Sequence, residues 1–150
     1  MAENSKRERI IVYHVDLMKV LESINHIRRT IPSYDELKNF SSQQFPVIAV
    51  TARLPVPVVK KTGMTQSGRG PILSSLNIDN FVYIQNNVNP DTQISDVLDD
   101  IWAKGYSDPT YGGLTTEVDL TAEEEVIQWP PFQAFRVVHQ VKYYHTTGGI

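Results

Sequence analysis

Two clusters of acidic residues in this chain could act in catalysis or bind a metal ion. They are Asp96, Asp99 and Asp100, and Glu123, Glu124 and Glu125. Paired carboxylates can act as acid and base in glycoside hydrolysis, and they can hold a catalytic metal ion. We predict that the first group lies on a solvated helix face and the second in a turn. We therefore expect surface charge at both places and no catalytic residues.

The four histidines do not have the spacing of a metal site. His14 and His26 are more than three turns apart on one predicted helix, at about 3.6 residues per turn. His139 and His145 are about 20 Å apart on one predicted strand. The chain has no cysteine and no HExxH motif, so it lacks the common zinc ligand patterns. We expect ordinary, partly exposed histidines, with no metal and no cofactor.

Nucleophilic catalysis has no support from the sequence either. The absence of cysteine leaves serine as the main candidate nucleophile. None of Ser41, Ser42, Ser74 and Ser75 lies in the G-x-S-x-G motif that exposes a catalytic serine at a sharp turn. The sequence therefore predicts that the protein is not an enzyme.

A glycine-rich basic segment is the third feature with possible chemistry. Lys60, Lys61 and Arg69 lie in the sequence KKTGMTQSGRGP. No GK[ST] follows and Pro71 opens no predicted helix, so the segment is not a phosphate-binding loop. It could contact a nucleic-acid backbone, and a nucleic-acid-binding module is the alternative function from a different class. Because the basic residues are few, we do not expect nucleic acid to be the main partner.

The charges are distributed unevenly along the chain. The net charge of −3 combines a balanced stretch of residues 1–36 with two opposite ones. Residues 37–78 carry five basic residues and no acidic residue, whereas residues 79–150 carry eleven acids and three bases. A basic segment and an acidic body in one chain favour head-to-tail contact between copies, which closes into a ring when the rotation allows.

Two helices are predicted. Apolar residues at helical spacing predict the first over residues 5–31, with Ser5 and Glu8 as a capping box. The second is predicted over residues 91–105, where Gly105 has the position of a C-terminal cap. Its expected apolar face comprises Ile94, Val97, Leu98, Ile101 and Trp102.

Apolar runs and alternation predict strands over residues 45–54, 78–85, 115–121 and 132–144, the last within a segment 131–145. Residues 58–78 are predicted to form a flexible basic hairpin arm. The 150 residues are expected to form a single α+β domain, with two helices on one face of a mixed, mostly antiparallel sheet of about four strands. No apolar run is long enough to cross a membrane, and no secretory signal is expected.

Four stretches of the sequence resemble the tail-terminator, or tail-completion, proteins of tailed bacteriophages. They are RERIIVYHVDLMKVLESI, FPVIAVTA, DVLDDIWA followed by YGGLTTEVDL, and the closing FRVVHQVKYYH. The resemblance implies an α/β fold and a ring, typically a hexamer, at the head-proximal end of the tail tube. Such a ring stops tube polymerisation and joins the tail tube to the neck or connector protein, without enzymatic activity.

The resemblance also implies a virion protein of the tail or neck that is made in the host cytoplasm. Two segments depart from the family pattern, the long basic loop and the sequence VIQWPPF. These departures leave a neck, sheath-capping or baseplate protein as an alternative role.

The expected interface between copies combines charged and apolar residues. Lys60, Lys61 and Arg69 are predicted to contact the two acidic groups on a neighbouring copy or on the tube. Trp129, Phe132 and Tyr144 are predicted to supply apolar contact area, because exposed ion pairs contribute only about 0.2–1 kcal/mol each. Packing in the core is an equal alternative for Trp129 and Phe132.

Overall fold

The protein is built on a mixed sheet of six strands with helices on both faces. The computed structural model describes residues 5–57, 72–85, 90–129 and 131–145, with the backbone alone at 90, 91 and 123–129. The helices are α1 (Lys6–Lys19), α2 (Tyr34–Asn39) and α3 (Pro90–Ser107). The strands are β1 (His26–Arg28), β2 (Val47–Ala52), β3 (Val56–Pro57), β4 (Ile72–Gln85), β5 (Glu117–Trp129) and β6 (Phe132–His145).

The strand order in the sheet is β1-β2-β4-β6-β5, and β3 pairs with β4 beside β2. β1 and β2 are parallel and all other pairs are antiparallel. The predicted α+β class is confirmed. The predicted count of two helices and about four strands is wrong, because α2, β1 and β3 are short elements whose sequences carry little periodic signal.

The first helix is much shorter than the predicted span of residues 5–31. α1 starts at the expected Ser5 cap, which accepts a hydrogen bond from the Glu8 backbone, but it ends at Lys19. The chain then turns, and both the backbone and the side chain of Asn25 donate hydrogen bonds to carbonyls at the start of the next buried strand. These hydrogen bonds of Asn25 position β1 beside β2. The helical periodicity of the sequence does not indicate this pairing.

The main core lies between the sheet and the helices α1 and α3. α1 contributes Ile10, Ile11 and Met18, and α3 contributes Val97 and Ile101. The sheet contributes alternate residues of its strands, including Ile48, Val50, Leu76, Ile78, Val82, Val137, Val141 and Tyr143. Every second residue of β6 from Phe135 to Tyr143 faces this core.

A second, smaller core lies on the opposite face of the sheet. α2 buries Leu37 there, and Phe45 stacks on Phe132 with ring centroids 5.4 Å apart. Val47, Ala49, Tyr83 and Ala134 complete this cluster. The prediction of helices on one face only is therefore wrong. α2 begins in the polar segment SYDELKNFSSQQ, where Ser33 and Glu36 form a capping box.

The predicted hairpin arm and acidic turn also differ from the structure. β4 begins at Ile72, so part of the expected arm of residues 58–78 is regular strand, and residues 58–71 lie outside the described residues. The backbone of residues 123–125 belongs to β5 and not to a turn. Glu123 pairs with Arg136 of β6, and the register between the two strands then shifts before Ile127, so the acidic stretch lies at a β-bulge or irregularity.

Gly105 is not a helix cap, because α3 continues to Ser107. A Cβ atom at Gly105 would lie 2.9 Å from Nε2 of His139 and 3.0 Å from Cδ2 of Leu120. The glycine therefore allows α3 to approach the sheet closely at β5 and β6.

The substitution Gly105→Ala is expected to destabilise the protein by about 1–3 kcal/mol through overpacking. In an unconstrained helix the same change would stabilise by about 1 kcal/mol. Urea unfolding of Gly105→Ala, His139→Ala and the double variant measures the coupling. The loss of stability caused by Gly105→Ala should become smaller, or turn into a gain, when His139 is replaced by alanine. If Gly105→Ala stabilises the parent protein, the close contact with His139 is contradicted.

Candidate assembly surface

An acidic groove lies between the end of α1 and the outer side of α3. It is lined by Glu22, Ser23, Asp96, Asp99 and Asp100 and has a volume of about 380 Å³. The structure thus brings one predicted acidic group together with Glu22, which follows the end of α1. Four carboxylates in one open groove create a negative potential that favours a cationic partner.

The packing of α3 explains why its acids face outward. Val97 and Ile101 are buried in the main core, so Asp96 and Asp99 point to the opposite side of the helix, where both are exposed. Within the described ranges no lysine or arginine forms an ion pair with the four carboxylates of the groove. Their negative charge is therefore available to a partner.

Two aromatic residues extend the outer side of α3 beyond the groove. Trp102 is 40% exposed and Tyr106 is 54% exposed, and the spacing Asp99, Trp102, Tyr106 places all three on one helix face. The prediction that Trp102 belongs to the inward apolar face is wrong. Tyr106 was not considered, because the helix was expected to end at Gly105. We call Trp102 and Tyr106 the aromatic ledge.

The other predicted interface residues are distributed between surface, core and undescribed positions. Lys60, Lys61 and Arg69 lie outside the described residues. Glu123, Glu124, Glu125 and Trp129 are described only as backbone positions of β5. Phe132 is a core residue of the second core. Tyr144 is 49% exposed on the face of β6 that points away from the main core.

The expectation of partly exposed histidines holds for His26 but not for the other three, which are buried. His14 and His139 are fully buried, and their ring centroids are 4.4 Å apart. Asn80 of β4 joins them, with Oδ1 2.6 Å from Nε2 of His14 and Nδ2 2.8 Å from Nδ1 of His139. Tyr111 lies at the other end, its hydroxyl 2.7 Å from Nδ1 of His14. We call these four residues the buried polar network.

The carbonyl of Val137 fixes the direction of every hydrogen bond in this network. It accepts from Nδ2 of Asn80 at 2.9 Å, which orients the amide and leaves Oδ1 to accept from Nε2–H of His14. Nδ1 of His14 then accepts from the Tyr111 hydroxyl, and Nδ1 of His139 accepts from Asn80. The proton on Nε2 of His139 faces Gly105 and has no partner among the described residues.

Both histidines are held neutral in this arrangement. Burial lowers the pKa of His14 to about 4, and the hydrogen bond to Asn80 opposes this only in part. Burial and the nearby charge of His14 lower the pKa of His139 well below the usual histidine value. Burial raises the pKa of Tyr111, so its hydroxyl remains a donor. The network is a neutral structural element that joins α1 to two strands.

The turn after α3 positions Tyr111. Tyr111 has φ of +46°, and Gly112 follows with φ of +64°, a conformation that glycine adopts most readily. A Cβ atom at Gly112 would lie 3.2 Å from the ring of Tyr13. The Tyr13 hydroxyl in turn donates a hydrogen bond to the Asp108 carboxylate. The turn that contains the sequence YGG therefore packs against α1 through Tyr13.

The structure provides no catalytic or metal geometry in its described part. Ser74 and His145 form a hydrogen bond of 2.7 Å, but Ser74 is 1% exposed, so a substrate cannot reach its hydroxyl. No group of three or more metal-ligating side chains is found among the described residues. None of the described helices is long and apolar enough to span a membrane. The acidic groove with the aromatic ledge is the surface that contains the predicted acidic group Asp96, Asp99 and Asp100.

Comparison with known proteins does not assign this surface to a family. No protein-family model and no curated protein sequence matches the chain.

Proposed function

We propose that this protein is a structural protein of a phage virion that resembles a tail terminator. It would form a ring at the head-proximal end of the tail tube, stop tube polymerisation and join the tail to the neck or connector. One observation carries the proposal: no lysine or arginine among the described residues pairs with the acidic groove, while the sequence contains a stretch, residues 37–78, without any acid.

The contact between copies follows from these two features. The basic residues Lys60, Lys61 and Arg69 of one copy meet Asp96, Asp99 and Asp100 of the next. Because the two surfaces differ, the contact is heterologous and repeats around a ring when the rotation closes. The family resemblance implies six copies. The charges set register and association rate more than affinity, so an apolar contact must supply most of the binding free energy.

Charge reversal is expected to abolish assembly without unfolding the chain. The variant Lys60→Glu/Lys61→Glu/Arg69→Glu has two acidic surfaces, and Asp96→Lys/Asp99→Lys/Asp100→Lys has two basic ones. Each alone should remain monomeric, because like charges then face each other across the contact. An equimolar mixture should assemble with alternating copies. Native mass spectrometry and light scattering, with and without isolated tail tubes, measure the species, and circular dichroism controls for folding.

The mixture is the internal control of this experiment. Restored assembly demonstrates charge pairing between copies, whereas assembly of either variant alone would show that the pairing is wrong. A parent protein that stays monomeric both at high concentration and with tail tubes would contradict the ring. Tight DNA binding that weakens steeply with salt, measured by filter binding, would instead support a nucleic-acid-binding module.

A further inference from the structure

We infer that the aromatic ledge, Trp102 and Tyr106 of α3, binds the exposed residues Leu54 and Val56 of a second copy of this chain. The inference rests on the proposed ring and identifies the apolar part of its contact. Leu54 and Val56, which precede and open β3, are called the proline edge, because Pro55 and Pro57 alternate with them.

The proline edge is the most exposed apolar feature of the described chain. Leu54 is 81% exposed and Val56 is 62% exposed. Val56 pairs with Ser75 of β4, so the edge is fixed to the sheet. The two prolines restrict φ, and a restricted segment loses little conformational entropy when it binds. The edge is therefore a preorganised apolar ligand.

The ledge has the composition of a binding surface. Tryptophan and tyrosine are the residues most enriched among those that dominate binding energy in protein interfaces. Trp102 and Tyr106 are exposed on the same helix face as Asp99, at the border of the acidic groove. A partner that fits this surface is apolar where it meets the rings and basic beside them.

The proline edge meets both requirements. It lies within residues 37–78, the stretch with five basic and no acidic residues, and Lys60 and Lys61 follow it closely in sequence. Ledge and edge are both exposed in the single chain, so the described part of the chain covers neither. Apolar residues that lie close to two lysines in the sequence thus match aromatic residues beside negative charge, and this complementarity within one chain favours a second copy as the occupant.

Disulfide trapping tests this contact directly, because the chain has no cysteine of its own. Leu54→Cys is mixed with Tyr106→Cys under mild oxidation, and Val20→Cys mixed with Tyr106→Cys is the matched control. Val20 is as exposed as Val56, at 62%, but lies elsewhere on the surface. We expect a covalent dimer of the two variants in the first mixture and none in the control.

Affinity measurements separate the failure of this inference from the failure of the ring. Trp102→Ala and Leu54→Ala are each expected to weaken self-association about tenfold or more, as for interface anchors, while Val20→Ala leaves it unchanged. If the parent protein assembles but neither cross-link nor weakening is seen, the inference is wrong and the ring stands. If cross-linking occurs between the ledge and another protein of the tail instead, the inference is also wrong. If the parent protein never self-associates, both the proposed ring and this inference are wrong.

Discussion

Lowering the pH from 7 to 5 is expected to reduce the free energy of unfolding by about 2 kcal/mol through His14, with a further loss in the same direction through His139. Burial holds the pKa of His14 at about 4 and that of His139 well below the usual value. In the unfolded chain both titrate near about 6.5. The unfolded state therefore binds the protons first, and stability present above pH 6.5 is lost as the pH falls.

The size of the effect for His14 follows from its folded-state pKa of about 4. A buried histidine lowers the stability by about 1.4 kcal/mol for every pH unit between about 6.5 and its folded pKa. That gives about 2 kcal/mol for His14 at pH 5, relative to pH 7, and His139 acts in the same direction. Glu8, Glu36 and Asp108 have lowered pKa values because they accept hydrogen bonds from Arg29, Arg28 and Tyr13. Their contributions are lost at lower pH, below the unfolded values of 4.5 and 3.8.

The hydrogen bonds explain why the network cannot accept a further proton. A proton on Nδ1 of His139 would face the N–H of Asn80, and the amide cannot rotate because the Val137 carbonyl and His14 fix both of its ends. A charged His14 would lie against His139, with ring centroids 4.4 Å apart. The geometry of the hydrogen bonds and the burial of the rings therefore both oppose protonation of the two histidines.

Urea unfolding at pH 7, 6 and 5 measures this effect, and the slope of stability against pH is the quantity of interest. His14→Gln should reduce the slope, because one of the two titrating groups is removed. His26→Gln is the matched control, because His26 is only half-buried. A flat pH profile of the parent protein, or a slope that only His26→Gln changes, would contradict the assignment to the buried pair.

The sequence pattern placed both histidines correctly but their burial was misjudged. His14 is one helical turn after the buried Ile10, and His139 alternates with Val137 and Val141, which were expected to face one side of the last strand. Both positions were therefore on predicted core faces. What the pattern could not show is Asn80, which neutralises the cost of burying two imidazoles, because its contacts depend on the pairing of β4 with β6.

The surface features were predictable only in part, for a similar reason. The cluster of Asp96, Asp99 and Asp100 on a helix follows from spacing, but its meeting with Glu22 depends on how α1 ends. The expected continuous first helix concealed that turn. Phe132 was equally compatible with core and interface, because its partner Phe45 precedes β2 and is distant in sequence. Long-range contacts decide such positions, whereas local periodicity does not.

Asn80→Leu is expected to destabilise the protein by about 3 kcal/mol or more, since each unpaired buried polar group costs about 1–3 kcal/mol. The substitution keeps a similar volume but removes the partner of three buried groups at once. These are Nε2–H of His14, Nδ1 of His139 and the carbonyl of Val137. Asn77→Leu is the matched control on the same strand, because Asn77 faces the other side of the sheet and its Oδ1 has no partner among the described residues. Its expected cost is below about 1 kcal/mol.

Asn80→Asp separates the role of the hydrogen bonds from that of simple packing. A carboxylate at this position would accept from His14 and from a protonated His139, and the added negative charge raises the pKa of both imidazoles. The loss of stability between pH 7 and pH 5 should therefore become smaller than in the parent protein, although the stability at pH 7 falls. Urea unfolding over this range provides both quantities. Equal costs for Asn80→Leu and Asn77→Leu, with an unchanged pH slope in Asn80→Asp, would show that Asn80 does not link the histidines. If instead only Asn80→Leu is costly and Asn80→Asp reduces the slope of stability against pH, the Asn80 amide links α1 to the sheet through the two histidines.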